Sequence, residues 1–230
     1  MLQGEHLTLT YQDGESVVNA VHDVSITIED HQFIGILGPS GSGKSSLLYL
    51  LSGLRKATQG DVFLDGCAYS AMPDRERVAL RRSVFGFVFQ QHFLINFLTT
   101  LENVMAAALV PDKAHLEQAK LLLNDLGMGD KLHRFPYELS GGERQRTAVA
   151  RAMIHRPRII FADEPTGLLD RHTGLQVMER LRNYRDEGSL IAVTHNPEIL
   201  TEADLVITLR DGQTAHVEDR SMRTTQTKSS

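Results

Sequence analysis

Apolar and polar residues alternate with period two over Leu7–Thr10 and Val24–Ile28, the pattern of strands with one face buried. Asp13 and Gly14 mark a turn between them. Phe33–Leu37 is nearly all apolar, as are Val84–Phe89, Ile159–Ala162 and Leu190–Val193, while Leu205–Leu209 alternates less cleanly. Continuous apolar runs of this length suit strands covered on both faces. Between them, helical spacing appears over Lys44–Leu51, Leu116–Leu126, Arg144–Met153 and Gly174–Tyr184. Buried strands alternating with helices predict an α/β fold with a mainly parallel sheet, to which the early alternating strands add an antiparallel portion. The stretch from about Gln91 to Pro136 has helix signals and no convincing strand, so it reads as an inserted helical lobe. Thr214–Ser230 is polar and aperiodic and is expected to be a frayed tail, leaving one domain over residues 1–214 and a disordered tail over 215–230.

Composition narrows the picture only slightly. The 230 residues are 41% hydrophobic and 23% charged, as in ordinary globular proteins. A formal net charge of −5 argues against a protein that coats nucleic acid. The single cysteine, Cys67, excludes an internal disulfide and suits a reducing compartment. No apolar run approaches the roughly 20 residues that span a bilayer. The polar start Met1–His6 lacks a signal-peptide layout. A soluble protein is expected, with any membrane role acting through a partner.

The chemistry is concentrated in a few short segments. Gly38-Pro39-Ser40-Gly41-Ser42-Gly43-Lys44-Ser45 follows a buried strand and opens a helix. That context turns a glycine-rich stretch into a phosphate cradle. Its glycines let successive N–H groups face one anion, and the helix dipole adds attraction. Lys44 can reach the β- and γ-phosphates, and the Ser45 hydroxyl suits Mg²⁺. Downstream, Asp163 and Glu164 end a buried strand, where ligands bind in open α/β sheets. Asp163 is placed to hold Mg²⁺, and Glu164 to polarise a water. His195 ends another apolar run and can hydrogen-bond a γ-phosphate.

Leu139-Ser140-Gly141-Gly142-Glu143 has two readings. Ser140 and Glu143 fit a capping box at the start of a helix. Two consecutive glycines weaken a first turn, however, and suit a helix end at which another phosphate docks.

In this order Gly38–Ser46, Leu139–Arg146, Ile159–Asp170 and Val193–His195 resemble the ATP-binding subunit of ABC transporters, over the chain from about Leu7 to Gly212. Gly86–Val104 and the run Glu164-Pro165-Thr166-Gly167 further resemble the branch of lipoprotein-release and macrolide-export ATPases. The resemblance implies a Mg²⁺-dependent ATPase. Tyr11 would stack on adenine, although an edge-strand tyrosine is the simpler alternative. Ser40 through Ser46 match the Walker A loop, and Gln90 the glutamine that senses Mg²⁺ and attacking water. Asp163 and Glu164 match Walker B and its catalytic base, Asp170 the D-loop aspartate and His195 the switch histidine. Two copies would pack head to tail around two ATP molecules, with Ser140 and Gly142 of each reaching the γ-phosphate in the other. The homodimer would drive an integral membrane permease from the cytoplasmic face of the inner membrane, in export or in extraction of substrate from the membrane.

One departure from the branch is Leu168, where Asn or another small residue is usual; it bears on hydrogen bonding across the dimer, not on Lys44, Asp163 or Glu164. Phe93, Leu94, Ile95, Phe97 and Leu98 either contact the membrane partner or form the small lobe's own core. An ATP-gated mechanical or regulatory module that moves no substrate is the alternative function. A DNA- or ribosome-directed ABC ATPase lacks support, because the chain has neither two cassettes nor a long coiled-coil insertion. A kinase or GTPase is disfavoured by the Leu139–Glu143 motif and by the absence of a guanine-recognition Asn-Lys-x-Asp.

Overall fold

The computed structural model describes residues 1–13, 16–184 and 187–221, so Gly14 and the end of the expected tail, residues 222–230, lie outside the described residues. The chain divides into two compact units, residues 1–81 with the segment from Ile191 onward, and residues 82–190. This division is wider than the lobe over 91–136 read from the sequence.

In the first unit, β1 (Leu2–Asp13) pairs antiparallel with β2 (Ser16–Ile28) on one side and β4 (Gln59–Leu64) on the other. The short β5 (Cys67–Ala68) adds to β4. Leu2, Leu7, Leu9, Val21, Val24, Ile26 and Ile28 are buried, so the alternation in the sequence corresponds to one covered face. A second layer holds β3 (Phe33–Leu37), which runs parallel to β9 (Leu205–Arg210) and also neighbours β8 (Ser189–Thr194). Its near-continuous apolar run reflects burial from Phe33 to Ile36. Gly35 is packed so closely that an added Cβ would lie 2.7 Å from the Leu200 side chain, so a larger residue there would have to displace that leucine. The helix α1 (Lys44–Leu51) follows β3 and buries Leu47, Leu48, Leu50 and Leu51. α2 (Asp74–Ser83) buries no residue at all.

The expected tail is in part a strand. β10 (Gln213–Asp219) pairs antiparallel with β9. Six of its seven residues are exposed, so its side chains carry no apolar alternation to read. Backbone pairing, not burial, holds it in place.

In the second unit, β6 (Phe85–Val88) runs parallel to β7 (Ile159–Asp163), whose five residues are all buried. The Phe85 and Phe161 rings meet edge-on at 5.1 Å between centroids, an arrangement that adds to burial. Helices α3 (Thr100–Met105), α4 (Lys113–Asp125) and α5 (Gly141–Met153) follow β6, and α6 (Arg171–Asn183) follows β7. α5 is the central helix: it packs against α3, α4 and β6, and buries Ala148, Val149, Ala152 and Met153. Parallel strand pairs, an antiparallel N-terminal sheet and helices inserted between β6 and β7 together give the α/β class expected from the sequence. Among the described residues, no helix is long and apolar enough to cross a membrane.

Candidate functional site

The glycine-rich loop leaves β3 and enters α1 through Gly43, which sits at φ 93°. A Cβ there would lie 2.0 Å from the Ala20 carbonyl oxygen, so backbone conformation and space both demand glycine. The loop is tied to the sheet by Gly212 N–H donating to the Ser42 carbonyl at 3.2 Å. No side chain caps the start of α1, and its first turn carries no acidic residue. The first turn of α1 therefore supplies no counter-charge of its own to the positive helix end.

Two side chains in this loop mark where an anion fits. Lys44 is only 7% exposed, and its ammonium turns back to donate to the Pro39 carbonyl at 2.8 Å. Ser42 is 3% exposed, and its Oγ has no partner among the described residues. A buried hydroxyl left unsatisfied costs about 1–3 kcal/mol, which an incoming phosphate oxygen would recover. Ser45 and Ser46 stand half-buried on the first turn of α1, and Pro39, Ser40 and Gly41 are exposed. Buried Gly38 precedes them.

The same unit carries two further residues. Tyr11 lies on β1 opposite Val18, and Tyr11, Val17 and Val18 are all exposed, forming an apolar hairpin surface suited to a planar ring. Val17 and Val18 were not singled out from sequence, although two exposed β-branched residues opposite an aromatic were the available signal. His195 follows the buried β8 and is exposed.

In the second unit, Asp163 closes β7 and is 2% exposed. Glu164 follows at φ 47°, in the left-handed region that costs a non-glycine residue about 1–3 kcal/mol. The strained turn is closed by Gly167 N–H donating to the Glu164 carbonyl at 3.1 Å. Gln145, 1% exposed on α5, donates to the Pro165 carbonyl at 3.0 Å and braces the same turn. Sequence reading passed over Gln145; its place on the otherwise apolar face of α5 was the clue. Gln90 stands exposed just beyond β6. Asp170 caps α6, accepting from Thr173 N–H at 3.0 Å, and that bond holds its carboxyl below the ordinary value. Leu168 beside it is exposed.

The Ser140–Glu143 segment forms a complete capping box. Ser140 Oγ accepts from Glu143 N–H at 3.2 Å, and Glu143 Oε2 accepts from Ser140 N–H at 2.7 Å. The Ser140 backbone bond keeps the Glu143 carboxyl low. The capping reading of this motif is thus correct as far as it goes. It leaves Gly141 unexplained, because nothing lies within 4 Å of the position its Cβ would take. That open space suits close approach by a ligand.

Of the residues singled out for Mg²⁺, Ser45 in the first unit offers a hydroxyl, and Gln90 and Asp163 in the second offer an amide oxygen and a carboxylate, all oxygen donors of the kind this ion accepts. Among the described residues no group of three His, Cys, Asp or Glu could hold a metal alone.

The family model described as ABC transporter matches residues 21–167. An uncharacterised ABC transporter ATP-binding protein of Methanocaldococcus jannaschii is 42% identical over 221 residues, covering 94% of this chain and 99% of its own. The macrolide export ATP-binding/permease protein MacB of Aggregatibacter actinomycetemcomitans is 41% identical over 217 residues. That match covers 93% of this chain but only 34% of MacB, so the chain spans about a third of that relative's length. Among solved structures, the dimeric post-hydrolysis ATP-binding cassette MJ0796 bound to ADP and Pi superposes with a TM-score of 0.90 at 34% identity. The superposition covers 96% of this chain and 99% of that one.

Proposed function

The chain belongs to the ABC transporter family of ATP-binding proteins, and from that premise we propose that two copies close around two Mg·ATP to power a membrane permease. The observation that carries this reading is the uncapped start of α1, with Lys44 bonded to its own loop and Ser42 Oγ unsatisfied. Support for the dimer comes from the cassette MJ0796, whose dimeric state is described with ADP and Pi.

Each residue has a definite task. Lys44 exchanges the Pro39 carbonyl for β- and γ-phosphate oxygens, while Ser42 and the α1 N–H groups bind the remaining phosphate charge. Tyr11 stacks on adenine. Ser45, Asp163 and Gln90 would hold Mg²⁺, and the ion would supply charge neutralisation for the phosphates. Glu164 accepts the proton of a water whose oxygen bonds to the γ-phosphorus as the bond to the β–γ bridging oxygen breaks, leaving ADP and phosphate. His195 donates a hydrogen bond to a γ-phosphate oxygen. Ser140, Gly141 and Gly142 of the second copy dock on that same phosphate, beside the Glu143 cap, and Asp170 lies in the loop that faces the second copy.

The permease works from the membrane with this chain at its cytoplasmic face. The export direction is favoured by the MacB relative, whose printed name combines macrolide export, ATP binding and permease. The test uses the purified chain. Wild type should release phosphate from Mg·ATP, and Glu164→Gln should accumulate as an ATP-dependent dimer by size-exclusion chromatography with light scattering. Absence of both turnover and dimer would refute the reading.

A further inference from the structure

β6 ends at Val88, and the chain reaches α3 through residues 89–99. This connection displays Phe93 and Phe97 to solvent at 63% and 81% exposure. It is nonetheless held firmly. Phe93 sits at φ 45°, a conformation that costs an aromatic residue about 1–3 kcal/mol and persists only where neighbours impose it. The neighbour is Arg151, in the last turn of α5, 58 residues away in sequence. Its guanidinium donates to the Phe93 carbonyl at 2.6 Å and to the His92 carbonyl at 2.7 Å. Burial draws that guanidinium below its ordinary value, as expected of a cation set into structure.

The His92 ring itself is half-buried, and its Nε2 has no hydrogen-bond partner among the described residues. Farther along, Asn103 on α3 is fully buried and accepts from Ile95 N–H at 2.7 Å. Its amide nitrogen lies 2.9–3.1 Å from the carbonyls of Ile95, Leu98 and Thr99. The connection is therefore fastened to α5 at residues 92–93 and to α3 at residues 95–99. It follows those helices instead of moving independently of them.

We propose that Arg151 is a positioning residue: it joins the loop after Gln90 to the helix opened by Ser140-Gly141-Gly142, so that both move as one piece. A push on Phe93 or Phe97 then reaches Gln90 and the helix start together. This role rests on the reading of the chain as an ABC ATPase. A planar fork spans two carbonyls at once, which a lysine ammonium cannot reproduce. A double-mutant cycle measures the coupling.

Arg151→Met, Gln90→Ala and the double variant are compared by phosphate release from Mg·ATP, by binding of a fluorescent N-methylanthraniloyl ATP and by thermal melting. Arg151→Met should lower kcat about tenfold while analogue affinity stays within about twofold, since the loop geometry and not the phosphate cradle is disturbed. The double variant should be no more than about twofold slower than Gln90→Ala alone. Arg151→Lys should recover part of the loss, and it takes the place of Arg151→Met in the cycle if that variant does not fold. Single effects that multiply in the double variant, or a lowered melting temperature with unchanged kcat, would overturn the role. A wild type that neither binds the analogue nor releases phosphate would instead defeat the underlying ATPase reading.

Discussion

Two helices in this chain begin with glycine-rich sequence, and they treat their exposed N–H groups in opposite ways. α1 starts at Gly43 with no capping side chain and no acid in its first turn. α5 starts at Ser140 with a reciprocal cap in which both Ser140 and Glu143 take part. The first start is incomplete without an anion: its hydroxyl is orphaned and its lysine leans on a carbonyl. The second is complete as it stands, yet leaves open space beside Gly141. The contrast fits the proposed roles, one start completed by nucleotide bound within its own chain and the other kept folded until a second copy presents a phosphate. A helix end that waits for a second chain needs its own cap; one filled by its own chain's nucleotide does not.

The sharpest way to break the comparison is to remove the charge from the first start and the cap from the second. Lys44→Ala should reduce phosphate release about 10²–10³-fold, the scale found when one charge-stabilising donor is lost. Ser140→Ala should cost about 1 kcal/mol of stability as a lost cap and also abolish turnover. Mixing the two inactive variants should restore activity, because a mixed dimer retains one intact pocket. Activity that never returns would mean the two starts do not serve a shared pocket.

The glycines separate the two starts by a smaller effect. Gly43→Ala forces a Cβ against the Ala20 carbonyl at φ 93° and should destabilise the fold by about 2–3 kcal/mol. Gly141→Ala meets nothing within 4 Å and should leave melting unchanged or slightly raised, since alanine favours helix by about 1 kcal/mol. It should still weaken the ATP-dependent dimer of a Glu164→Gln background. Equal melting losses in both variants would erase the distinction.

The smallest effect is that of pH on the second unit. Burial lowers the pKa of His92, with Arg144 and Arg151 adding to it, and burial also lowers that of His155, whose Nε2 lies 3.2 Å from the Phe85 carbonyl. Below the ordinary value near 6.5 the unfolded chain takes up protons that the folded chain refuses. Stability therefore rises with pH across that window and falls as pH drops below about 6.5. Melting curves at pH 7.5 and 5.5 should show the loss, and His155→Gln should shrink it. An unchanged slope would remove His155 from the account.

Much of the fold is legible locally. The limits of β3 and α1 agree with their hydropathy patterns because both bury the faces those patterns define. α2 and β10 escaped because neither hides an apolar face: α2 buries nothing, and β10 is held by backbone pairing at an exposed edge. α3 carried a readable signal in Thr99 and Glu102, which form a capping box. For the candidate site, the Gly38–Ser45 loop, the Ser140–Glu143 segment, Asp163, Glu164 and His195 were nameable from spacing and context, and Tyr11, Gln90 and Asp170 from the family resemblance. Gln145, Asn103 and Arg151 were not, since polar residues on helices look alike until their partners are known.

The order of residues alone thus dictated which chemistry the chain can carry, because phosphate cradles, caps and buried strands are written in neighbours a few positions apart. Folding dictated which polar groups are already satisfied and which still wait. Arg151 grips carbonyls 58 and 59 residues away, whereas Ser42 Oγ finds no partner among the described residues. A hydrogen bond depends on where distant backbone comes to rest, and hydropathy along a chain does not encode that distance.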